Sequence, residues 1–274
     1  MPSEIYNPFE NTPDGLRLLA FGDIVGPAGL RGLETVLPTV CSLCNPHLVI
    51  ANGENANGFG MLRTSARRLK KAGVHVITGG NHTFRPAEAL ELLQNEPHVL
   101  RPANLAPSAA PGSGVDEIST AMGTVGIVNL AGQVFMDPAN NPFVALDEAL
   151  QQFREHNVRM VVVDFHAEAT AEKIALALHA DGRASLVFGT HTHVPTADER
   201  ILTGGCGAIT DIGMCGSPNG IIGMESETIL RRHRMGLVGR FTPDVSASRV
   251  QGIAAVLDPD TGACSFITRI SWDI

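Results

Sequence analysis

The chain has 274 residues, of which 44% are hydrophobic and 18% are charged, a composition that is typical of folded globular proteins and excludes a disordered chain. Its formal net charge of −8 disfavours general binding to duplex nucleic acid or anionic lipid, although a local cationic site can override that repulsion. No apolar run approaches the ~20 residues of a membrane span, and no signal-peptide pattern opens the chain, so we expect a cytoplasmic protein without a membrane partner.

Residues 1–16 lack hydrophobic periodicity and contain Pro, Asn, Asp and Gly. This composition predicts an N-terminal arm outside the fold. A chain of this length forms one large domain or at most two, and nothing in the sequence requires a division, so we predict a single domain over residues 17–274.

Short apolar runs then alternate with amphipathic stretches. The runs that predict strands are "LRLLAF", "HLVIA", "VHVITG", "TVGIVNL", "RMVVVDF", "SLVFG" and "GAITDI". The stretches that predict helices are Leu30 to Cys44, "TSARRLKKAG", "RPAEALELLQNE" opened by Pro86, "FVALDEALQQFREHN" and "EATAEKIALALHADG". Such alternation predicts an α/β fold with parallel strands buried between helices.

The last part of the chain has a different pattern. The segment "GIAAVLDPDTGACSFITRI" contains two apolar runs joined by a turn, which predicts a β-hairpin. A hairpin brings antiparallel pairing, so either one mixed sheet or two sheets with helices outside accommodates the whole chain.

The five cysteines are too few and too irregularly spaced for a disulfide framework. Cys41 and Cys44 form a C-x-x-C pair inside a predicted helix, and because no second pair completes a zinc site, we expect buried thiols there. Cys215 lies in a glycine-rich segment and is expected to be more exposed.

Polar side chains follow the predicted strands at the points where the strands end. They are Asp23, Glu54 with Asn55, Asn81 with His82, His166, and His191 with His193. Taken singly, Asp23 could cap a helix, Asn81 could be a turn residue and His166 could be a core histidine. Because the carboxyl ends of parallel strands share one edge, where such folds bind ligands, five such loops together favour a site.

The stretch "FGTHTHVPTAD" indicates what that site holds. In extended backbone His191 and His193 would point to the same side, so both rings could reach one bound object. The candidate ligand atoms are all nitrogen and oxygen, which suits Fe, Mn or Zn. There are more candidate ligands than one ion uses, which favours two ions that share a carboxylate.

The stretch "AFGDIVGPAGLRG" offers a competing interpretation, because a strand, a glycine-rich turn and a helix also form a dinucleotide-binding cradle. The spacing of Gly22, Gly26 and Gly29 does not match G-x-G-x-x-G, however. Asp23 also stands where the backbone would approach a pyrophosphate, so this interpretation is disfavoured.

The motifs "GDIVG", "NGENANGFG", "GGNHTF", "DFHAEATAEK", "GTHTHVPTAD" and "TDIGMCG" together carry a resemblance. In this order they resemble those of YmdB-type proteins in the calcineurin-like metallophosphoesterase superfamily. The match runs over about residues 18–224. It implies a mixed β-sandwich flanked by helices, with a dinuclear metal centre at one edge.

The resemblance also implies a role for each residue at that edge. One metal would be held by Asp23, Glu54, Asn55 and His193, and the other by Asn81, His166 and His191, with Glu54 bridging the two. His82 corresponds to the superfamily's general acid. The family's activity would be hydrolysis of small phosphodiesters, 2',3'-cyclic nucleotides in particular, by a metal-bound hydroxide, often with iron and in homo-oligomers.

The sequence departs from the wider superfamily at several positions. The superfamily begins with D-x-H, whereas Asp23 is followed by Ile24 and Val25, so Asn55 would replace the missing histidine. Phe84 and Arg85 stand where Trp and Asp are expected. Arg85 could bind substrate phosphate or be solvated.

Asp198, five residues beyond His193, could hydrogen-bond a ligand imidazole from behind or cap a turn or helix.

Two alternatives to a phosphodiesterase stay open at this point. The same metals could serve a phosphomonoesterase or protein phosphatase. The protein could instead be a metal-bound regulator that binds nucleotide or RNA, which would need a basic, aromatic-lined surface. The aromatic content of 5% and the net charge disfavour that alternative.

Overall fold

Two β-sheets stack face to face, and α-helices cover the outer face of each. The computed structural model describes residues 3–105, 110–237 and 239–274. The four layers are those of an α/β sandwich, which confirms the predicted fold class.

Within the described residues, thirteen strands make up the two sheets. They are β1 (Leu16–Phe21), β2 (Asp23–Ile24), β3 (Leu48–Asn52), β4 (Val76–Thr78), β5 (Val115–Thr120), β6 (Gly123–Ala131), β7 (Met160–His166), β8 (Leu186–Thr190), β9 (Arg200–Ile201), β10 (Gly207–Ile209), β11 (Met214–Gly216), β12 (Arg249–Leu257) and β13 (Cys264–Asp273). The first sheet has the order β2-β11-β12-β1-β3-β4, with β13 paired to β12. The second has the order β5-β6-β7-β8-β10-β9. Strands β1, β3 and β4 pair in parallel on one side of the first sheet, and β6, β7 and β8 pair in parallel within the second.

Six helices are described. They are α1 (Gly26–Cys44), α2 (Arg63–Ala72), α3 (Ala89–Asn95), α4 (Pro142–Glu155), α5 (Thr170–Ala180) and α6 (Ser226–Met235). Helix α1 begins before the predicted Leu30, since a proline in its first turn supplies the helical φ. Helix α3 begins after the predicted Pro86, because the Pro86 carbonyl accepts from Ala89 N in a turn (3.0 Å).

Strand residues alternate between two separate cores. In β1, Leu18 and Ala20 lie between the sheets, whereas Leu19 and Phe21 pack toward the helices. Both faces of the strand are therefore buried, which explains its uninterrupted apolar sequence.

The terminal hairpin is confirmed as β12 and β13, and β12 lies antiparallel to β1 inside the first sheet. The apolar pattern of the sequence did not predict β2, β5, β9, β11 or α6. Strands β9 and β11 have two and three residues, too few to show a periodicity.

The N-terminal segment is closer to the fold than its composition predicted. Phe9 is 7% exposed and belongs to the core beneath α1, and Tyr6 lies against Trp272 with ring centroids 5.6 Å apart. The amide of Ser3 donates to the Asp273 carbonyl of β13 (2.9 Å). The expectation of an arm outside the fold is therefore wrong for its described part, because two aromatic side chains anchor it.

All five cysteines are free thiols. Cys44 is buried and Cys41 is partly buried, in line with the expectation for this pair. Cys215 is fully buried, contrary to prediction, because β11 lies between β2 and β12. Burial raises the pKa of the Cys215 thiol to about 12. Among the described residues, no helix is both long and apolar enough to cross a membrane.

Candidate metal centre

The predicted site residues meet where strands of both sheets end. Asp23 follows β1, while Glu54, Asn55, Asn81 and His82 follow β3 and β4 of the same sheet. His166 ends β7, and His191 and His193 follow β8, in the second sheet. The site therefore spans the mouth of the sandwich, and neither sheet supplies it alone.

One group of ligand atoms surrounds Nε2 of His166. Nδ1 of His191 lies 3.0 Å from it, Oδ1 of Asn81 lies 3.1 Å away and Oε1 of Glu54 lies 3.2 Å away. The ligand atoms of Glu54, His166 and His191 all lie within 4.8 Å of one another. This is a spacing at which one cation can contact all of them.

A second group adjoins the first. Nε2 of His193 lies 3.7 Å from Oδ1 of Asp23 and 3.2 Å from Nδ2 of Asn55. That Asn55 nitrogen donates to Oε1 of Glu54 (3.0 Å). Oε1 of Glu54 therefore borders both groups.

The Asn55 amide presents its nitrogen to Glu54 and His193, and its oxygen lies 2.9 Å from Nδ1 of His82. A metal ion coordinates only the oxygen of an amide. For Asn55 to be a ligand, its side-chain amide must therefore rotate by about 180° so that the oxygen takes the place of the nitrogen. The role of Asn55 stays a prediction.

Left-handed backbone brings the two loop histidines together. His191 has φ of 103° and His193 has φ of 65°, so the extended conformation predicted for this stretch is wrong. The amide and the hydroxyl of the intervening Thr192 both donate to Oδ2 of Asp211 (3.1 and 2.9 Å). Asp211 is itself paired with buried Lys173 (2.8 Å), which anchors this strained loop.

A glycine permits the close approach of the loops. A Cβ atom on Gly80 would overlap Oε2 of Glu54 and Nε2 of His166. Any side chain there would therefore displace a ligand of the site, which accounts for glycine just before Asn81.

Buried polar groups behind the site orient His166. The hydroxyl of Thr190 donates to Oδ1 of Asp164 (2.7 Å), so its oxygen is left to accept from Nδ1 of His166 (2.9 Å). Thr78 and Asn52 donate to the other oxygen of Asp164. This chain fixes the imidazole with Nε2 toward the site, as metal-binding histidines require.

The electrostatics of the site favour a cation. Burial opposes charge on His166, but the carboxylates of Glu54, Asp23 and Asp164 outweigh that effect and raise its pKa to about 9. Burial, and then the charge of His166, lower the pKa of His191 to about 3, so His191 stays neutral as a ligand must.

The surroundings of Asp23 indicate most clearly whether the site suits a metal ion. Its Oδ1 is buried without a hydrogen-bond partner in the described chain, and burial raises the pKa of the carboxyl group. Such an orphaned oxygen costs free energy that a bound cation would offset. The residues present therefore fit a metal centre.

His82 differs from the ligands in position. Its backbone nitrogen donates to Oε2 of Glu54 (3.0 Å), and its ring forms a T-shaped pair with the Phe59 ring at 5.0 Å between centroids. It lines a cavity of about 490 Å³ that opens onto the site. Nε2 has no hydrogen-bond partner in the described part of the chain, so it is available to a substrate.

Several residues at the site were not predicted. Oε2 of Glu168 lies 3.2 Å from Nε2 of His191, the nitrogen that faces away from His166. Glu168 lies two residues after His166 in a motif already singled out, so the signal was present. Phe59, Arg232 and His233 also line the cavity, and the last two come from the unpredicted helix α6.

The contacts of Asp198 distinguish between its two predicted roles, support of a ligand imidazole and capping of a turn or helix. Its Oδ1 accepts from the backbone nitrogen of Thr210 (3.1 Å), and no ligand histidine contacts it in the described residues. The structure thus favours the turn-capping role. Arg85 is exposed and lines a second cleft beside the cavity.

The amino-acid sequence matches one family of known proteins. The sequence profile of the YmdB-like protein family matches residues 19–270. A 2',3'-cyclic-nucleotide 2'-phosphodiesterase of Bacillus subtilis (strain 168) is 39% identical over 256 residues, which are 93% of this chain and 96% of the relative.

Two solved structures share the fold over nearly the whole chain. A hypothetical protein from Thermus thermophilus is 40% identical with a TM-score of 0.88, covering 94% of this chain and 99% of its own. A novel phosphatase from Mycoplasma pneumoniae is 33% identical, also with a TM-score of 0.88, covering 95% and 94%.

Proposed function

Because this chain belongs to the YmdB-like protein family, whose matched relative in Bacillus subtilis is a phosphodiesterase, we propose that it hydrolyses 2',3'-cyclic nucleotides at the edge of the sandwich. The observation that carries the proposal is the position of Glu54 Oε1 between two groups of ligand atoms, 3.2 Å from His166 Nε2 and 3.0 Å from Asn55 Nδ2.

The proposed centre holds two ions, with iron as the first expectation and manganese or zinc as alternatives. Asp23, Glu54, Asn55 and His193 would hold one ion, and Asn81, His166 and His191, again with Glu54, would hold the other. Such ions activate water and neutralise charge on phosphate oxygens. The purely nitrogen and oxygen donor set supports this choice of metals.

The protein's own groups supply the remaining chemistry. The ribose oxygen that leaves the phosphorus is strongly basic and needs a proton. We assign this proton transfer to His82, whose Nε2 lacks a hydrogen-bond partner among the described residues and whose ring lines the cavity. The apolar side chains of Phe59, Ile222 and Phe241 in the same cavity suit a nucleoside.

A substrate comparison tests the proposal. Protein purified without added metal is assayed by elemental analysis, and turnover is measured on 2',3'-cyclic AMP, on 3'-AMP and on a phosphoserine peptide. The proposal expects kcat/KM on the cyclic diester to exceed that on both monoesters by about 100-fold or more, since a pocket shaped for one phosphate ester discriminates in the transition state. Equal or faster turnover of a monoester would instead assign a phosphomonoesterase or protein phosphatase. A homo-oligomeric state and a cytoplasmic location stay predictions.

A further inference from the structure

A second cleft opens beside the metal cavity. It encloses about 820 Å³ and shares Phe59, Arg232 and Phe241 with the cavity, so the two are direct neighbours. A ligand that extends from the metals past these three side chains therefore reaches the cleft.

The cleft is strongly basic. Arg85, Arg232 and Arg240 line it, and its described lining contains no carboxylate. In the described parts of the chain none of the three guanidinium groups forms an ion pair with Asp or Glu. Unpaired arginines gathered in one cleft of a chain with net charge −8 mark a site for an anion, and the guanidinium group is suited to phosphate.

Aromatic rings connect this cleft to His82. The Phe59 ring lies 5.0 Å from the His82 ring and 6.3 Å from the Phe241 ring, and the guanidinium carbon of Arg232 lies 5.2 Å from the Phe241 centroid. Phe59 is 38% exposed, so its ring is accessible to a ligand. Aromatic surfaces next to cationic grooves are the usual means of holding a nucleobase and its neighbouring phosphate.

We propose that the arginine cleft is a subsite for a second phosphate, attached to the 5' oxygen of the ribose whose 2',3'-cyclic phosphate lies at the metal centre. This inference rests on the proposed function. The 2' and 3' oxygens are both used by the cyclic phosphate, so only the base and the 5' substituent project away from the metals. With the base against Phe59 and Phe241, the 5' phosphate reaches the arginines.

Two kinds of molecule carry this chemistry. One is a mononucleotide with a 5' monophosphate and a 2',3'-cyclic phosphate. The other is an RNA fragment that ends in a 2',3'-cyclic phosphate, in which the second phosphate is the preceding internucleotide link. The test therefore uses three matched substrates: adenosine 2',3'-cyclic phosphate, its 5'-phosphorylated form, and the dinucleotide ApA with a 2',3'-cyclic end.

The experiment measures KM and kcat of the metal-loaded protein on the three substrates, for wild type, Arg85→Ala and Arg240→Ala. Arg231→Ala is the matched control, because Arg231 lies on α6 beside Arg232 but does not line the cleft. Wild type is expected to have a KM about tenfold lower for a substrate with the second phosphate, as a charge-assisted contact provides. The cleft variants should lose this advantage while keeping wild-type constants on the 5'-hydroxyl substrate.

A lower wild-type KM for one or both of the substrates that carry the second phosphate supports the subsite and identifies its ligand. The same KM for all three in wild type, or equal losses for Arg231→Ala, would overturn it while leaving the phosphodiesterase intact. If no cyclic substrate is turned over, the proposed function fails. Calorimetric binding of 3'-AMP against adenosine 3',5'-bisphosphate then still tests the subsite: tighter bisphosphate binding that Arg85→Ala abolishes supports it, and equal binding rejects it.

Discussion

Oε1 of Glu54 lies 3.2 Å from Nε2 of His166, although Glu54 follows β3 of the first sheet and His166 ends β7 of the second. The contact joins the two sheets at their shared edge. His166 and His82 hold the pKa of Glu54 well below its usual range, although burial alone would raise it. The charge of Glu54 is therefore retained inside the protein, where it is available to a cation.

Replacing His82 by alanine separates proton transfer from metal binding. We expect unchanged metal content and turnover of a 2',3'-cyclic nucleotide slowed by about 10²–10⁴-fold, because the basic ribose oxygen needs a proton. The loss on bis(p-nitrophenyl) phosphate should be much smaller, since a nitrophenolate leaves without protonation. Kinetics on both substrates, with metal analysis, check this.

His191→Ala is the control for that experiment. Because His191 is a proposed metal ligand, its replacement should lower the turnover of both substrates and also lower the metal content. Equal losses on the two substrates for His82→Ala, with metal retained, would assign His82 to phosphate positioning.

The orientation of His166 by Thr190 gives another prediction. Thr190→Val keeps the shape of the side chain but removes the oxygen that accepts from Nδ1 of His166. Metal affinity should fall by about 10–100-fold, as when the partner of a ligand histidine is lost. Competition with a chelator measures this affinity, and Thr190→Ser should restore it. An unchanged affinity in the valine variant would show that Thr190 does not orient the ligand.

The N-terminal segment should matter for stability but not for catalysis. Phe9→Ala removes a side chain that is 7% exposed, and such truncations cost about 3–5 kcal/mol of unfolding free energy. Denaturant unfolding should show this loss, whereas exposed Glu10→Ala should not. Turnover at saturating substrate should stay unchanged below the transition, because the described residues of this segment do not line the cavity. A large loss of rate in folded Phe9→Ala would refute that separation.

Thiol labelling tests the burial of the cysteines. At pH 8 the native protein should react with a disulfide reagent at Cys41 alone, and slowly, because the other four thiols are buried. Burial raises the pKa of Cys44 and Cys264 to about 11 and that of Cys215 to about 12, so little thiolate forms at them. All five should react in guanidinium chloride. Rapid native labelling of Cys215, identified by mass spectrometry, would contradict its place between β2 and β12.

The sequence predicts the layers well, because strand segments such as Met160 to Val163 are buried on both faces and so are apolar throughout. The polar site residues directly follow these apolar runs, so the sequence also places them at strand ends. The geometry of the histidine loop is not predictable in this way. Positive φ at His191 and His193 depends on the buried Lys173–Asp211 pair, which is distant in sequence.

The arginine cleft is also not predictable from the sequence. Arg85 lies far in the sequence from Arg232 and Arg240, and α6 is a mostly exposed, polar helix in which Ile229 is the one buried residue among those described. Overall charge and aromatic content average over the whole chain, so they conceal a small cationic surface. Tyr6 and Phe9 anchor the N-terminal segment in a stretch whose composition otherwise predicts an arm, and only the position of Trp272 and α1 reveals their role.

Two ions that share Glu54 are the basis of the proposed hydrolysis, and the metal content of the Glu54→Gln variant shows whether they do. Elemental analysis should find about two ions per chain in wild type and a loss of both in the variant, because the bridging carboxylate contributes to both positions. Circular dichroism must show the same fold for both proteins. A folded Glu54→Gln protein that keeps two ions, or a wild type that binds one, would rule out a two-ion centre bridged by Glu54.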